Sequence, residues 1–107
     1  MASHQNFVDY VAEQLAEAGA IRSRKMFGEY GLYCNEVFFA VICDDQVFVK
    51  ITPAGEAAFP QLPKAPPYEG ARDYIRVEDV EDREQMTELV RITCEALKSK
   101  PQKKRRK

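Results

Sequence analysis

Residues 24–50, RKMFGEYGLYCNEVFFAVICDDQVFVK, constrain the fold of this chain more than any other stretch. Three apolar runs, residues 30–34, 37–43 and 47–51, are separated by two polar breaks, Asn35-Glu36 and Asp44-Asp45-Gln46. Breaks of two or three residues between aromatic and β-branched runs are hairpin signals, so the stretch reads as an antiparallel meander. The run 37–43 (VFFAVIC) has no polar residue and reads as a central strand covered on both faces. Val47, Val49 and Ile51 alternate with Gln46 and Lys50, a half-buried pattern in which Phe48 falls on the polar face.

Helical patterns flank the meander. Phe7, Val8, Val11, Leu15 and Ala18 make one apolar stripe, with Asn6 or Ser3 as candidate cap and Gly19 placed to end the helix in a left-handed conformation. Residues 20–27 then read as extended, with charges suited to a short edge strand. Thr52-Pro53 is a helix start, with Thr as cap and Pro at the first helical position. Four prolines in residues 60–67 predict a rigid extended connector crossing the sheet edge rather than a ligand for a polyproline-binding domain. Residues 73–77 (DYIRV) alternate as a strand. Asp82 with Gln85 three residues on marks the start of the last helix, whose buried face is Met86, Leu89, Val90, Thr93 and Leu97, with Cys94 and Ile92 at its edges. Pro101 stops it. The expected fold is α+β, a two-layer sandwich of an antiparallel sheet with helices on one face, in the order α-β-β-β-α-β-α.

At 107 residues the chain has the length of one domain with a modest core. No apolar run approaches the ~20 residues of a membrane span, and MASHQNF lacks the features of a secretory signal. Three cysteines without C-x-x-C spacing, Cys34, Cys43 and Cys94, read as reduced, buried thiols in a cytoplasmic protein. The net charge of −1 hides a division. Lys98, Lys100, Lys103, Lys104, Arg105, Arg106 and Lys107 stand in the last ten residues with no acid among them; the first 97 carry nine basic and seventeen acidic groups, a net charge of −8. The division predicts a folded domain over residues 1–97 and a disordered basic tail over residues 98–107.

The sequence offers little for catalysis. His4 is the one histidine and has no nucleophile beside it. The acids at 78–82 lack the ligand spacing and glycine of a calcium loop, so no metal or cofactor is expected. Gly28 and Gly31 bracket Glu29-Tyr30, but a strand rather than a helix follows, so the glycines read as permitting a bend or bulge and not as a phosphate cradle. Tyr30 and Tyr33 read as packing aromatics, because few basic residues accompany them on the predicted sheet surface that would stack a base.

The segment Arg24, Met26, Phe27, Gly28, Tyr30, Gly31, continued by Phe39-Ala40 and Val49-Lys50, resembles the signature of the TfoX/Sxy N-terminal domain of bacterial competence regulators. Glu29 departs from it, standing where a glycine is common. The resemblance spans the first helix to about residue 97. It implies an antiparallel sheet flanked by helices and a non-catalytic regulatory role in DNA-uptake gene expression, exercised through protein partners of the transcription machinery. It identifies the chain as a stand-alone member, since a basic tail follows where the two-domain regulators continue into a helical domain. Arg24, Met26, Phe27, Gly28, Tyr30 and Gly31 are the candidate interaction residues. The alternative function is non-specific nucleic-acid binding by the seven basic residues from Lys98 to Lys107.

Overall fold

The computed structural model describes residues 3–26 and 29–99. In chain order these are helix α1 (Gln5–Gln14), a 3₁₀ turn (Ala16–Ala18), strands β1 (Ile21–Met26), β2 (Glu29–Cys34), β3 (Val37–Cys43) and β4 (Gln46–Val49), helix α2 (Pro53–Ala58), strands β5 (Lys64–Ala65) and β6 (Tyr74–Val77), and helix α3 (Arg83–Ser99). The strands make one antiparallel sheet in the order β1-β2-β3-β4-β6-β5. The fold is α+β, with three helices against a six-stranded sheet.

The element order differs from the expected α-β-β-β-α-β-α by two strands, and both are edges. β1 (IRSRKM) carries three cations in six residues, so no apolar run announces it. It nevertheless pairs with β2 over its whole length, from Ile21 opposite Cys34 to Met26 opposite Glu29. β5 lies inside the proline-rich connector and pairs with β6 for two residues, Lys64 opposite Ile75 and Ala65 opposite Tyr74. Edge strands bury only part of themselves, so their sequences need not alternate cleanly.

Two turns set the register of the meander. Asn35 and Glu36 have φ of 51° and 70°, and Asp44 and Asp45 have φ of 54° and 57°. Positive φ at both central residues is the type I′ signature, whose twist matches that of paired strands. The second turn has two residues rather than three, because Gln46 already pairs with Cys43 as the first residue of β4.

β3 sits centrally, and both its faces are covered, as its unbroken apolar run predicts. Toward the helices lie Phe39, Ala40 and Ile42, packed with Leu32, Val47, Val49, Ile75 and residues of α1 and α3. On the other face Val41, Cys43 and Phe48 form a smaller cluster with Phe38, Ala65 and Tyr74. A bulge between β2 and β3 makes this division possible. Leu32 pairs with Ala40 but Tyr33 pairs with Phe38, which leaves Phe39 without a partner in the ladder and turns it into the main core.

The helix ends partly follow the sequence pattern. Thr52 Oγ1 accepts from the Gly55 amide at 3.0 Å, and Asp82 Oδ1 accepts from the Gln85 amide at 3.1 Å, both as capping residues do. In α3, Met86, Leu89, Val90 and Thr93 are fully buried and Leu97 partly so. Lys98 lies within this helix. At α1 the expected caps are absent: His4 occupies the cap position without a side-chain bond to the helix amides, and Asn6 lies inside the helix. Nor does Gly19 cap it. The helix ends at Leu15, the 3₁₀ turn follows, and Gly19 takes φ 154°, ψ −166°. A Cβ there would lie 2.7 Å from Cys34 Sγ, so the glycine serves close approach to β2.

Among the described residues no helix is long and apolar enough to cross a membrane.

Candidate functional site

Of the signature residues, Arg24 and Met26 lie on β1 and Tyr30 and Gly31 on β2, and strand alternation sends them in opposite directions. Arg24 is exposed and pairs with Gly31, which in turn pairs with Val41 of the face away from the helices. Tyr30 points to the helices. It is 7% exposed, belongs to the main core, and its hydroxyl donates to Gln5 Oε1 of α1 at 3.1 Å. Met26 is opposite Glu29. Phe27 and Gly28 lie outside the described residues. Of the tail residues, Lys98 is exposed in the last turn of α3; Lys100, Lys103, Lys104, Arg105, Arg106 and Lys107 lie outside the described residues.

Glu29, the departure from the family pattern, has a structural task. Its Oε1 accepts from the Ser3 amide at 2.9 Å and its Oε2 from the Asp44 amide at 3.0 Å. The Asp45 amide donates to Ser3 Oγ at 2.9 Å, and Asp45 receives the His4 amide at 2.9 Å, with the imidazole Nδ1 2.7 Å from its other oxygen. One strand residue and one turn thus fasten the start of α1 to the sheet. His4 is engaged here by the Asp45 carboxylate.

Strand pairing gathers a second constellation on the face that the helices leave open. Ladder partners share a face. Arg22 and Arg24 of β1, Lys50 just past β4, and Arg76 of β6 all fall on this side, with Glu29 the one carboxylate among the strand positions there. The aromatics are Tyr33, Phe38, Phe48 and Tyr74. Arg22 lies over the Tyr33 ring, 5.0 Å from its centroid, and Lys50 over the Phe38 ring at 4.7 Å. The two rings meet each other at 5.4 Å and 47°. Arg76 is opposite Phe48. At the rim, Arg22 pairs with Glu36 at 2.7 Å and Arg76 with Glu78. Tyr30 and Tyr33 therefore do not form a pair, and the expectation of few basic partners on the sheet fails for Tyr33. The cations come from β1, the end of β4 and β6, which are far from it in sequence.

The cysteines are free and buried. Burial raises the Cys43 thiol pKa, as do the nearby Glu29 and Asp44 carboxylates. Burial also pushes Cys94 well up, followed by the hydrogen bond it shares with Cys34, whose thiol donates to the Ala18 carbonyl at 3.7 Å. Protonated thiols of this kind are poor nucleophiles. Burial likewise raises the Tyr74 hydroxyl. A depression of about 450 Å³ near Phe7, Gln46 and Val80 holds Arg76 and Glu78, which neutralise each other. Among the described residues no three metal-binding side chains converge.

A 12.7 kDa protein in the trpE 5′ region of Spirochaeta aurantia is 35% identical over 109 residues, which cover 100% of this chain and 95% of that relative. A family model described as the TfoX N-terminal domain matches residues 13–97, from the end of α1 almost to the end of α3. The chain belongs to the TfoX N-terminal domain family, a non-catalytic family of regulatory and interaction domains.

Proposed function

We propose that this protein is a cytoplasmic regulator that acts through a protein partner of the transcription machinery in the control of DNA-uptake genes. The observation that carries the reading is the family match over residues 13–97, which takes in the whole sheet and nearly all of α3. In this reading the exposed part of the β1–β2 hairpin, with Arg24 at its centre, meets the partner. Tyr30 and Gly31 keep the hairpin in place.

The test is genetic and quantitative. In the source bacterium, deleting the gene should lower transcription of the DNA-uptake genes, and the wild-type gene should restore it. Complementation by Arg24→Glu should fail although that protein accumulates and melts like wild type. Unchanged transcription after deletion would overturn the reading.

A second reading, non-specific duplex binding by the tail, is favoured by seven basic residues in the last ten. Charge of that density binds by counterion release, with a log–log salt slope of about −0.9 per phosphate neutralised. Replacing Lys103, Lys104, Arg105, Arg106 and Lys107 by Gln should abolish binding to a duplex of arbitrary sequence. Equal binding by the substituted chain would remove this reading.

A further inference from the structure

The open face of the sheet has a composition unlike the rest of the protein. The first 97 residues carry nearly two acids per base. On the open face the balance shifts the other way: Arg22, Arg24, Lys50 and Arg76 stand against Glu29 and, at the rim, Glu36 and Glu78, which pair with Arg22 and Arg76. Glu29 is itself turned to the Ser3 and Asp44 amides. The cations are interleaved with aromatic rings, Arg22 over Tyr33 and Lys50 over Phe38. Tyr74 stands beside Arg76, and the loop before it adds Arg72 and Tyr68, the latter 64% exposed.

A protein partner of ordinary composition would use the apolar centre of such a face. Here that centre is closed: Val41, Cys43 and Phe48 are each less than a tenth exposed, covered by their own neighbours. What remains reachable is a ring of half-exposed aromatics and flexible cations, Tyr33, Phe38, Lys50, Tyr74 and Arg76. Cations that follow a backbone of phosphates, next to rings or guanidinium planes on which bases stack, are how single strands are held. A duplex keeps its bases paired and offers no faces to such rings. An open antiparallel sheet backed by helices is a frame on which unpaired RNA is read by stacking.

We infer that the open sheet face, with Arg22, Tyr33, Phe38, Lys50 and Arg76, binds single-stranded RNA. Arg22 and Lys50 swing from the rings to phosphates, and two successive bases take the vacated faces of Tyr33 and Phe38. None of these residues belongs to the basic tail, and RNA binding here needs no protein partner.

The test uses the full chain and a dye-labelled twelve-nucleotide oligouridine, read by anisotropy from 50 to 300 mM salt. The protein has five tyrosines and no tryptophan, so stacking on Tyr33 also quenches intrinsic tyrosine fluorescence. Three or four phosphates on the face give a log–log salt slope of about −2 to −3, against up to about −5 for seven tail cations. Tyr33→Leu should weaken binding about tenfold or more and remove the quench. Arg22→Gln, at an exposed site that leaves the fold intact, should weaken it severalfold and make the salt slope shallower. The chain with Lys103, Lys104, Arg105, Arg106 and Lys107 replaced by Gln should keep the quench. Wild-type binding by both face variants, or loss of binding in the tail variant, would overturn the inference, as would no binding at 50 mM salt. Equal or tighter binding of oligothymidine or of a duplex by the tail-substituted chain would overturn the assignment to RNA.

Discussion

The carboxylate of Glu29, on β2, accepts from the amide of Asp44, in the turn between β3 and β4, at 3.0 Å. With its other oxygen on the Ser3 amide it ties the sheet to the segment that starts α1. A glycine, the residue that the family resemblance leads one to expect here, would leave both amides without this acceptor. Hydrogen bonds to a charged group contribute about 1.5–3 kcal/mol when shielded. Glu29 is partly exposed, so Glu29→Ala should cost about 1–2 kcal/mol, or roughly 4–15 °C in Tm for a domain of this size. Calorimetry checks this; an unchanged Tm would mean that the tie does not hold in solution.

Asp45 completes the same junction and gives it a pH dependence. The hydrogen bond from the His4 amide, and then the His4 imidazole, hold its carboxyl below the ordinary value of 3.8. A folded-state pKa below the unfolded one means that the tether is fully present above the unfolded value. It is lost as pH falls through the folded pKa. The carboxylate is solvent-exposed, so the change appears at the N-terminus rather than in global stability. An NMR titration of the Asp45 side-chain carboxyl should give a midpoint below 3.8, with the His4 amide shift moving in parallel. A midpoint at or above 3.8 would show the contact to be absent.

Within the motif, fold and interaction can be separated by mutation, because Arg24 and Tyr30 point to opposite faces. Tyr30 is buried against Gln5, so Tyr30→Ala should cost about 3 kcal/mol or more, in the range of other large aromatic truncations. Arg24 is exposed, and Arg24→Ala should change stability by less than about 0.5 kcal/mol. Chemical denaturation measures both. Comparable losses would place Arg24 in the packing and remove it as a reporter of partner binding.

What the sequence made legible followed from periodicity. The unbroken run at 37–43 marked the central strand, the two polar breaks marked both type I′ turns, and Thr52-Pro53 and Asp82 marked helix starts. The charges at 22, 24 and 25 marked β1 as an extended edge, although the expected element order leaves it out. What the sequence concealed followed from context: β5 is two residues between prolines. The bulge at Tyr33 and Phe38 lies in pairing, which no single strand records. The open face escaped for the same reason. Arg22, Tyr33, Lys50 and Arg76 share no spacing in sequence and become neighbours only through register. The one available signal was Phe48 on the polar side of its strand, a sign that this side is not simply solvated.

Thr93 also sits where the helical pattern puts an apolar residue, and the pattern is the better guide there. It is fully buried on α3, and its hydroxyl has no hydrogen-bond partner among the described residues. Helix α2 packs against it: a Cβ added at Gly55 would lie 3.4 Å from Thr93 Oγ1. An unpaired buried hydroxyl costs about 1–3 kcal/mol of desolvation, and valine has nearly the same shape without that penalty. Thr93→Val should therefore stabilise the protein by about 1 kcal/mol, raising Tm by roughly 4–8 °C. Thr93→Ser keeps the hydroxyl and adds a cavity, so it should destabilise. A melt of the two variants beside wild type decides the matter. If valine lowers Tm, the hydroxyl has a partner in solution, and α2 and α3 meet through a polar contact instead of an apolar one.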